Sequence, residues 1–123
     1  MIRSYRDLTV WQLAVDLTVE VYKLSRRLPR SETYGLAGQM QRAAVSVAAN
    51  IAEGHGRDYR GDYLRHVSVA KGSLTELETH LVITERVGLL APRETAEARR
   101  VSDQLGRMLR ALSRRLRALP PSP

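Results

Sequence analysis

An all-α fold, an up-down-up-down antiparallel four-helix bundle, is what this chain predicts, on three observations. Apolar residues recur at three- and four-residue spacing through four segments. No segment alternates for long, as a half-buried strand would. The breaks between segments are short and carry Gly or Pro, so successive helices double back as antiparallel neighbours.

The first helix is predicted from about Leu8 to Leu28, with Asp7 as its cap and Pro29 as its stop. Val10, Leu13, Ala14, Leu17, Val21, Leu24 and Leu28 share its inner face. The second begins between Ser31 and Tyr34 and ends at Gly54, with Leu36, Met40, Ala43, Ala44, Val47 and Ile51 as its stripe. "EGHG" breaks it, because glycine has the backbone freedom a sharp turn needs. The third runs from about Asp58 to Val87, on Val67, Ala70, Leu74, Leu77, Leu81 and Thr84, and Gly88 ends it. The fourth runs from about Pro92 to Leu119, on Val101, Leu105, Leu109, Leu112, Leu116 and Leu119.

A length of 123 residues suits one core, so residues 1–119 are read as a single bundle domain and 120–123 as a disordered tail. Apolar residues make up 43% of the chain, enough to rule out a disordered polymer. Cysteine is absent, which excludes disulfides, thiolate nucleophiles and Cys-ligated zinc. "MIRSYRDLTVWQ" lacks the pattern of a signal peptide, and no stretch reaches the ~20 apolar residues of a membrane span. The expectation is a soluble cytoplasmic protein with no membrane partner.

Helices two and three carry more apolar residues than one core stripe needs. At about 100° per residue, Val45, Ala48, Ala49 and Ala52 lie opposite the Val47 stripe. Val69, Ile83 and Val87 point away from the Leu74 stripe. Such alignment on an outer face predicts an interface between copies of the chain.

Between the two faces of helix two runs a polar stripe, Gln39, Arg42, Ser46, Asn50 and Glu53, joined by Arg57 if the helix extends that far instead of turning before it. Glu53 and Arg57 have the order of an i,i+4 ion pair. Ser73, Glu76 and Glu78 on helix three are the expected partners. Buried polar groups are ordinarily hydrogen-bonded to one another, so the stripe reads as a seam that fixes register and not as a catalytic site.

Signatures of chemistry are missing. A di-iron bundle needs Glu-x-x-His, but Ala52, Tyr63 and Leu77 stand three residues before His55, His66 and His80. Glu76 and His80 alone read as a solvated helix face. "GHGR" is too short for a phosphate-binding fingerprint and follows no strand. Catalytic residues, metal and cofactor are all predicted to be none.

Charge is the other feature. The chain carries 20 Lys and Arg against 13 Asp and Glu, and residues 92–123 alone hold eight Arg against three acids. Arg99, Arg100, Arg107, Arg110, Arg114 and Arg117 fall within about 100° of arc opposite the leucines of helix four, with Glu97 and Asp103 the nearby acids of that helix and Arg107, Arg110, Arg114 and Arg117 the leading candidates. Such a row can follow a phosphate backbone. With no Phe and 5% aromatics, a base-stacking platform is not expected, so binding would be directed by backbone or shape.

Three stretches, "RDLTVWQLAVDLTVEVY", "YGLAGQMQRAAVSVAANIAEGHGR" and "KGSLTELETHLVITERVGLL", resemble the 23S rRNA intervening-sequence (S23-like) family over about residues 6 to 91. The resemblance implies a four-helix bundle assembled as a ring-like homopentamer, without an established activity. Related accessory proteins of diversity-generating retroelements form similar pentamers and bind nucleic acid and a reverse transcriptase. The family's recurrent polar positions correspond to Arg42, Asn50, Glu53, Gly54, Arg57, Gly72, Ser73, Glu76 and Glu78. Where the family often has Ile-Pro-Ser, this chain has Val47, Ala48 and Ala49, which predicts a straighter second helix.

The functional expectation is a non-enzymatic homo-oligomer that binds RNA or DNA through its arginine row. The alternative is a protein–protein adaptor with no nucleic-acid ligand.

Overall fold

In the computed structural model, which describes residues 1–120, four helices carry the fold: α1 Thr9–Ser25, α2 Gly38–His55, α3 Arg60–Arg86 and α4 Pro92–Ala118. Residues 121–123, most of the predicted tail, lie outside the described residues. The helices form a closed ring of contacts in chain order, with α4 returning to α1. Each contributes one stripe to a single apolar core. Leu17, Leu24, Met40, Ile51, Leu77, Leu81, Leu105 and Leu109 are its largest fully buried side chains. This is the predicted bundle.

The ends of the helices depart from the sequence reading at α1 and at the entry to α2. Asp7 does not cap α1. Its carboxylate accepts from the Arg3 N–H at 2.8 Å and closes a short 3₁₀ turn, Tyr5–Asp7, that precedes the helix. Leu8 occupies the cap position without a side-chain bond. At its other end α1 stops at Ser25, and Leu28 is buried from a following turn instead.

The entry to α2 is the second difference. A 3₁₀ turn over Arg30–Glu32 runs into a wide turn over Thr33–Ala37, and α2 proper starts only at Gly38. Gly35 sits at φ −98° and ψ −117°, a backbone that no helix uses, and the Glu32 carboxylate accepts from the Leu36 N–H at 3.3 Å. From Gly38 onward α2 runs as one α-helix to His55.

The exit of α2 lies within one residue of the Gly54 end read from the sequence. The helix ends at His55, so Arg57 lies in the turn to α3 and not on the α2 face. Between α3 and α4 the turn is as predicted: Gly88 takes φ +84°, and the Leu89 and Leu90 N–H groups both donate to the Thr84 carbonyl. Pro92 opens α4, and Glu94 accepts from the Ala91 N–H at 2.9 Å.

Candidate nucleic-acid interface and polar seam

Where α2 meets α3, the polar stripe closes on itself. Ser46 Oγ and Ser73 Oγ lie 2.8 Å apart. The Asn50 amide donates to the Ser46 carbonyl at 2.8 Å and to its hydroxyl at 3.2 Å. That leaves Asn50 Oδ1 facing His66 Nδ1 at 3.0 Å. On the other edge of the ring, Arg65 Nη2 stands 3.3 Å from His66 Nε2. A guanidinium only donates, so Nε2 accepts, and Nδ1 carries the proton and donates its hydrogen bond to Asn50 Oδ1. Glu53 Oε2 is 3.7 Å from the same Nδ1.

Close approach of the two helices makes this possible. Gly54 is buried, and a Cβ built on it would stand 2.8 Å from the His66 Cβ and 3.0 Å from the Tyr63 ring. Tyr63, half-buried there, has its phenol pushed above its ordinary range by burial, with nearby Arg115 opposing.

The remaining stripe residues are dispersed. Arg57, in the turn, makes no ion pair with Glu53 among the described residues, because the i,i+4 register is lost once the helix ends. Arg42 is exposed, its guanidinium lying over Gly38 rather than in the seam. Glu78 faces α4, where it accepts from Ser102 at 3.1 Å. Glu76 reaches His80 Nε2 at 3.4 Å, and His80 Nδ1 is buried without a hydrogen-bond partner among the described residues. Among the described residues, no three His, Asp or Glu side chains gather as a metal would require. A shallow cavity of about 390 Å³ beside Ser46, Gln41 and Arg42 does not include Asn50, Glu53 or His66.

His66 is the seam member that sequence reasoning missed. It was weighed only as a metal ligand. Its heptad spacing to Ser73 and His80 was the available signal, since residues seven apart share a helix face.

On the outer face, Val45, Val69 and Ile83 keep 40–44% of their surface exposed and Val87 keeps 61%. Ala49 is exposed, whereas Ala48 and Ala52 are half-buried, Ala48 packing against the core beside α1. Trp11, Val15, Val19, Val45, Ala48 and Ala49 line an apolar groove of about 240 Å³ between α1 and α2.

The arginine row divides in two. Arg99 pairs with Glu85 at 3.1 Å and donates to the Thr95 hydroxyl and the Pro92 carbonyl. Arg100 grips Glu97 at 2.7 Å, which holds the carboxylate below its usual range and the guanidinium above. These two are therefore compensated, which sets them apart from Arg107, Arg110, Arg114 and Arg117. Glu97 is an acid that the sequence already places near the row, whereas Glu85 faces across from α3, which a projection of α4 alone does not display. Arg107, Arg110, Arg114 and Arg117 are exposed and make no ion pair among the described residues. Near the end of the row, Arg60 of α3 donates to the Pro120 carbonyl at 2.7 Å.

Two comparisons bear on this arrangement. The family model described as 23S rRNA-intervening sequence protein matches residues 6–111. A crystal structure of a protein with unknown function from the S23 ribosomal protein family of Bacteroides thetaiotaomicron VPI-5482 superposes with a TM-score of 0.80 at 19% identity. The match covers 85% of this chain and 98% of that one, and it shows a shared fold. No curated protein matches the chain. Among the described residues, no helix is long and apolar enough to cross a membrane.

Proposed function

The chain belongs to the 23S rRNA-intervening sequence protein family, and on that footing we propose that it is a non-enzymatic, self-associating bundle that holds nucleic-acid phosphates along α4. One observation carries the reading. Arg107, Arg110, Arg114 and Arg117 form an exposed row without acidic partners among the described residues, on a helix locked to the core by its leucines. Their spacings of three, four and three residues climb the helix by about 4.5, 6 and 4.5 Å. A rigid row of that pitch meets phosphates without ordering a loop first. The expected ligand is structured RNA or duplex DNA, bound with little sequence preference.

Self-association is the second half of the proposal. The exposed apolar residues Val45, Ala49, Val69, Ile83 and Val87 support it, and five copies follow from the family resemblance. Repeating α4 in each copy multiplies the positive surface. A non-catalytic role is supported by Ser46, Asn50, Ser73 and His66, which spend their polar groups on one another.

The apolar α1–α2 groove favours a second reading, a protein-binding adaptor. Filter binding separates the two. If four phosphates are neutralised per duplex contact, log K falls with log salt at a slope of about −3.6. Changing Arg107, Arg110, Arg114 and Arg117 together to Gln should abolish that retention and leave the helical content intact. No retention at low salt, or equal retention by the quadruple variant, would move the function to the adaptor reading.

A further inference from the structure

Beside the arginine row, α3 and α4 enclose a groove of about 200 Å³ lined by Lys71, Leu74, Thr75, Glu78, Gly106 and Arg110. We propose that this groove seats one phosphodiester group, so that Lys71 forms a second rail for the nucleic acid opposite Arg110. The proposal rests on the nucleic-acid reading above and adds to it a residue from another helix.

Charge is the first argument. Lys71 and Arg110 face the same small volume from opposite walls, and neither is ion-paired among the described residues. Glu78 shares the groove, but its Oε1 is engaged by the Ser102 hydroxyl at 3.1 Å, and no ion pair ties it to either cation. Two cations and one carboxylate leave a formal charge of +1. That balances the single charge of a phosphodiester. A phosphomonoester carries about −1.5 to −2 and would be opposed by Glu78.

Shape is the second. Gly106 is buried at the groove floor, and a Cβ there would stand 3.3 Å from Arg110 Nη1 and 3.6 Å from Leu74 Cδ2. The absent side chain lets the Arg110 head lie back against α4 at the mouth of the groove. Lys71 is half-buried and lines the groove, in keeping with a long cationic side chain whose stem rests on apolar surface. Position is the third. Arg107 and Arg114 stand one turn to either side of Arg110, so a backbone tracking the row passes over this groove.

Lysine usage supplies a test that needs no variant. Lys23 and Lys71 are the only lysines in the chain. Lys23 is exposed on α1, does not line this groove, and serves as the internal reference. Acetylation of the full chain, read by mass spectrometry with and without a short RNA duplex, should show Lys71 protected several-fold and Lys23 unchanged. Equal protection of both, or no protection of Lys71 by a duplex that the protein retains, overturns the seat. Lys71→Gln should lower the salt slope by about 0.9 and weaken binding roughly fivefold, and Lys71→Arg should restore both. Gly106→Ala should melt no lower than the parent and yet bind the duplex more weakly, opposite directions that a general loss of structure cannot produce. Inorganic phosphate should compete no better than chloride at equal ionic strength. Competition beyond that would refute the charge match. If Lys71→Gln binds like the parent while the quadruple arginine variant does not, the groove is no seat and the α4 reading stands. If the parent does not bind at all, both fall.

Discussion

Gly54→Ala should destabilise this protein even though it improves a helix. In α2, alanine for glycine is worth about 1 kcal/mol of helix propensity. The new methyl would lie 2.8 Å from the His66 Cβ. Ordinary carbon contacts begin near 3.5–4.0 Å. A Cβ cannot rotate away from its own helix, so α2 and α3 must separate by roughly 1 Å or bend. Overpacking of this kind costs about 1–3 kcal/mol. Separation would also stretch the 3.0 Å Asn50–His66 bond one turn away beyond hydrogen-bonding range, which costs about 1 kcal/mol more. After the propensity gain is subtracted, a net loss of about 1–3 kcal/mol remains. For a domain of this size that lowers Tm by roughly 5–12 °C. Gly61→Ala is the matched control. It lies in the first turn of α3, where a Cβ meets nothing within 4 Å, so it should melt at or above the parent temperature. Thermal unfolding followed by circular dichroism compares the three proteins directly. Equal melting of Gly54→Ala and Gly61→Ala would refute the close-approach argument.

Other expectations follow from the same geometry. Asn50→Ala leaves the His66 Nδ1–H without its acceptor in a side chain only 6% exposed, and should cost about 1–3 kcal/mol by chemical denaturation. Gln39→Ala, on an exposed position of α2, should be close to neutral. Glu94 is held below the usual carboxylate range by the Ala91 N–H first and by Arg27 after it. A carboxylate lowered in the folded state contributes stability above its ordinary pKa and loses it as pH falls through the lowered value. Glu94→Gln should therefore melt below the parent at neutral pH, and the gap should close in acid. A gap that persists at pH values below the folded titration would show that the charge is not what matters.

Much of the bundle is legible in the sequence because burial is periodic. Val21, Met40, Ile51, Leu77 and Leu105 were placed by spacing alone, and spacing is local information. The failures all depend on what a residue meets. Arg57 belongs to the seam only if α2 continues past Gly56, and one turn of helix decides that. Gly35 interrupts a run whose apolar spacing reads as helix, since the Glu32 carboxylate offers the Leu36 N–H an alternative to the helical carbonyl. Arg99 and Arg100 share the arc of Arg107 on a projection of α4, where Glu97 appears as a nearby acid without an assigned partner. Only the fold brings Glu85 to Arg99, and only rotamer geometry commits Glu97 to Arg100. His66 was invisible as a seam residue until the antiparallel register of α2 and α3 set it beside Asn50.

Gly72 gives the proposed assembly its sharpest test. It stands in the middle of α3, exposed, on the outward face between Val69 and Ile83. A Cβ there meets nothing within 4 Å. Within one chain, then, Gly72 wastes about 1 kcal/mol relative to alanine. Glycine in a helix is useful where another backbone comes close, and the neighbouring apolar side chains mark the surface a second copy would cover. If no second chain approaches, Gly72→Ala should raise Tm by a few degrees and leave the mass unchanged. If the face is an interface, the methyl should intrude. Gly72→Ala should then shift the mass seen by light scattering toward the monomer on dilution, and Gly72→Arg should do so more strongly. A protein that is monomeric at micromolar concentration, with Gly72→Ala simply more stable, would remove the self-association half of the proposed function while leaving the α4 arginine row to be judged on its own binding data.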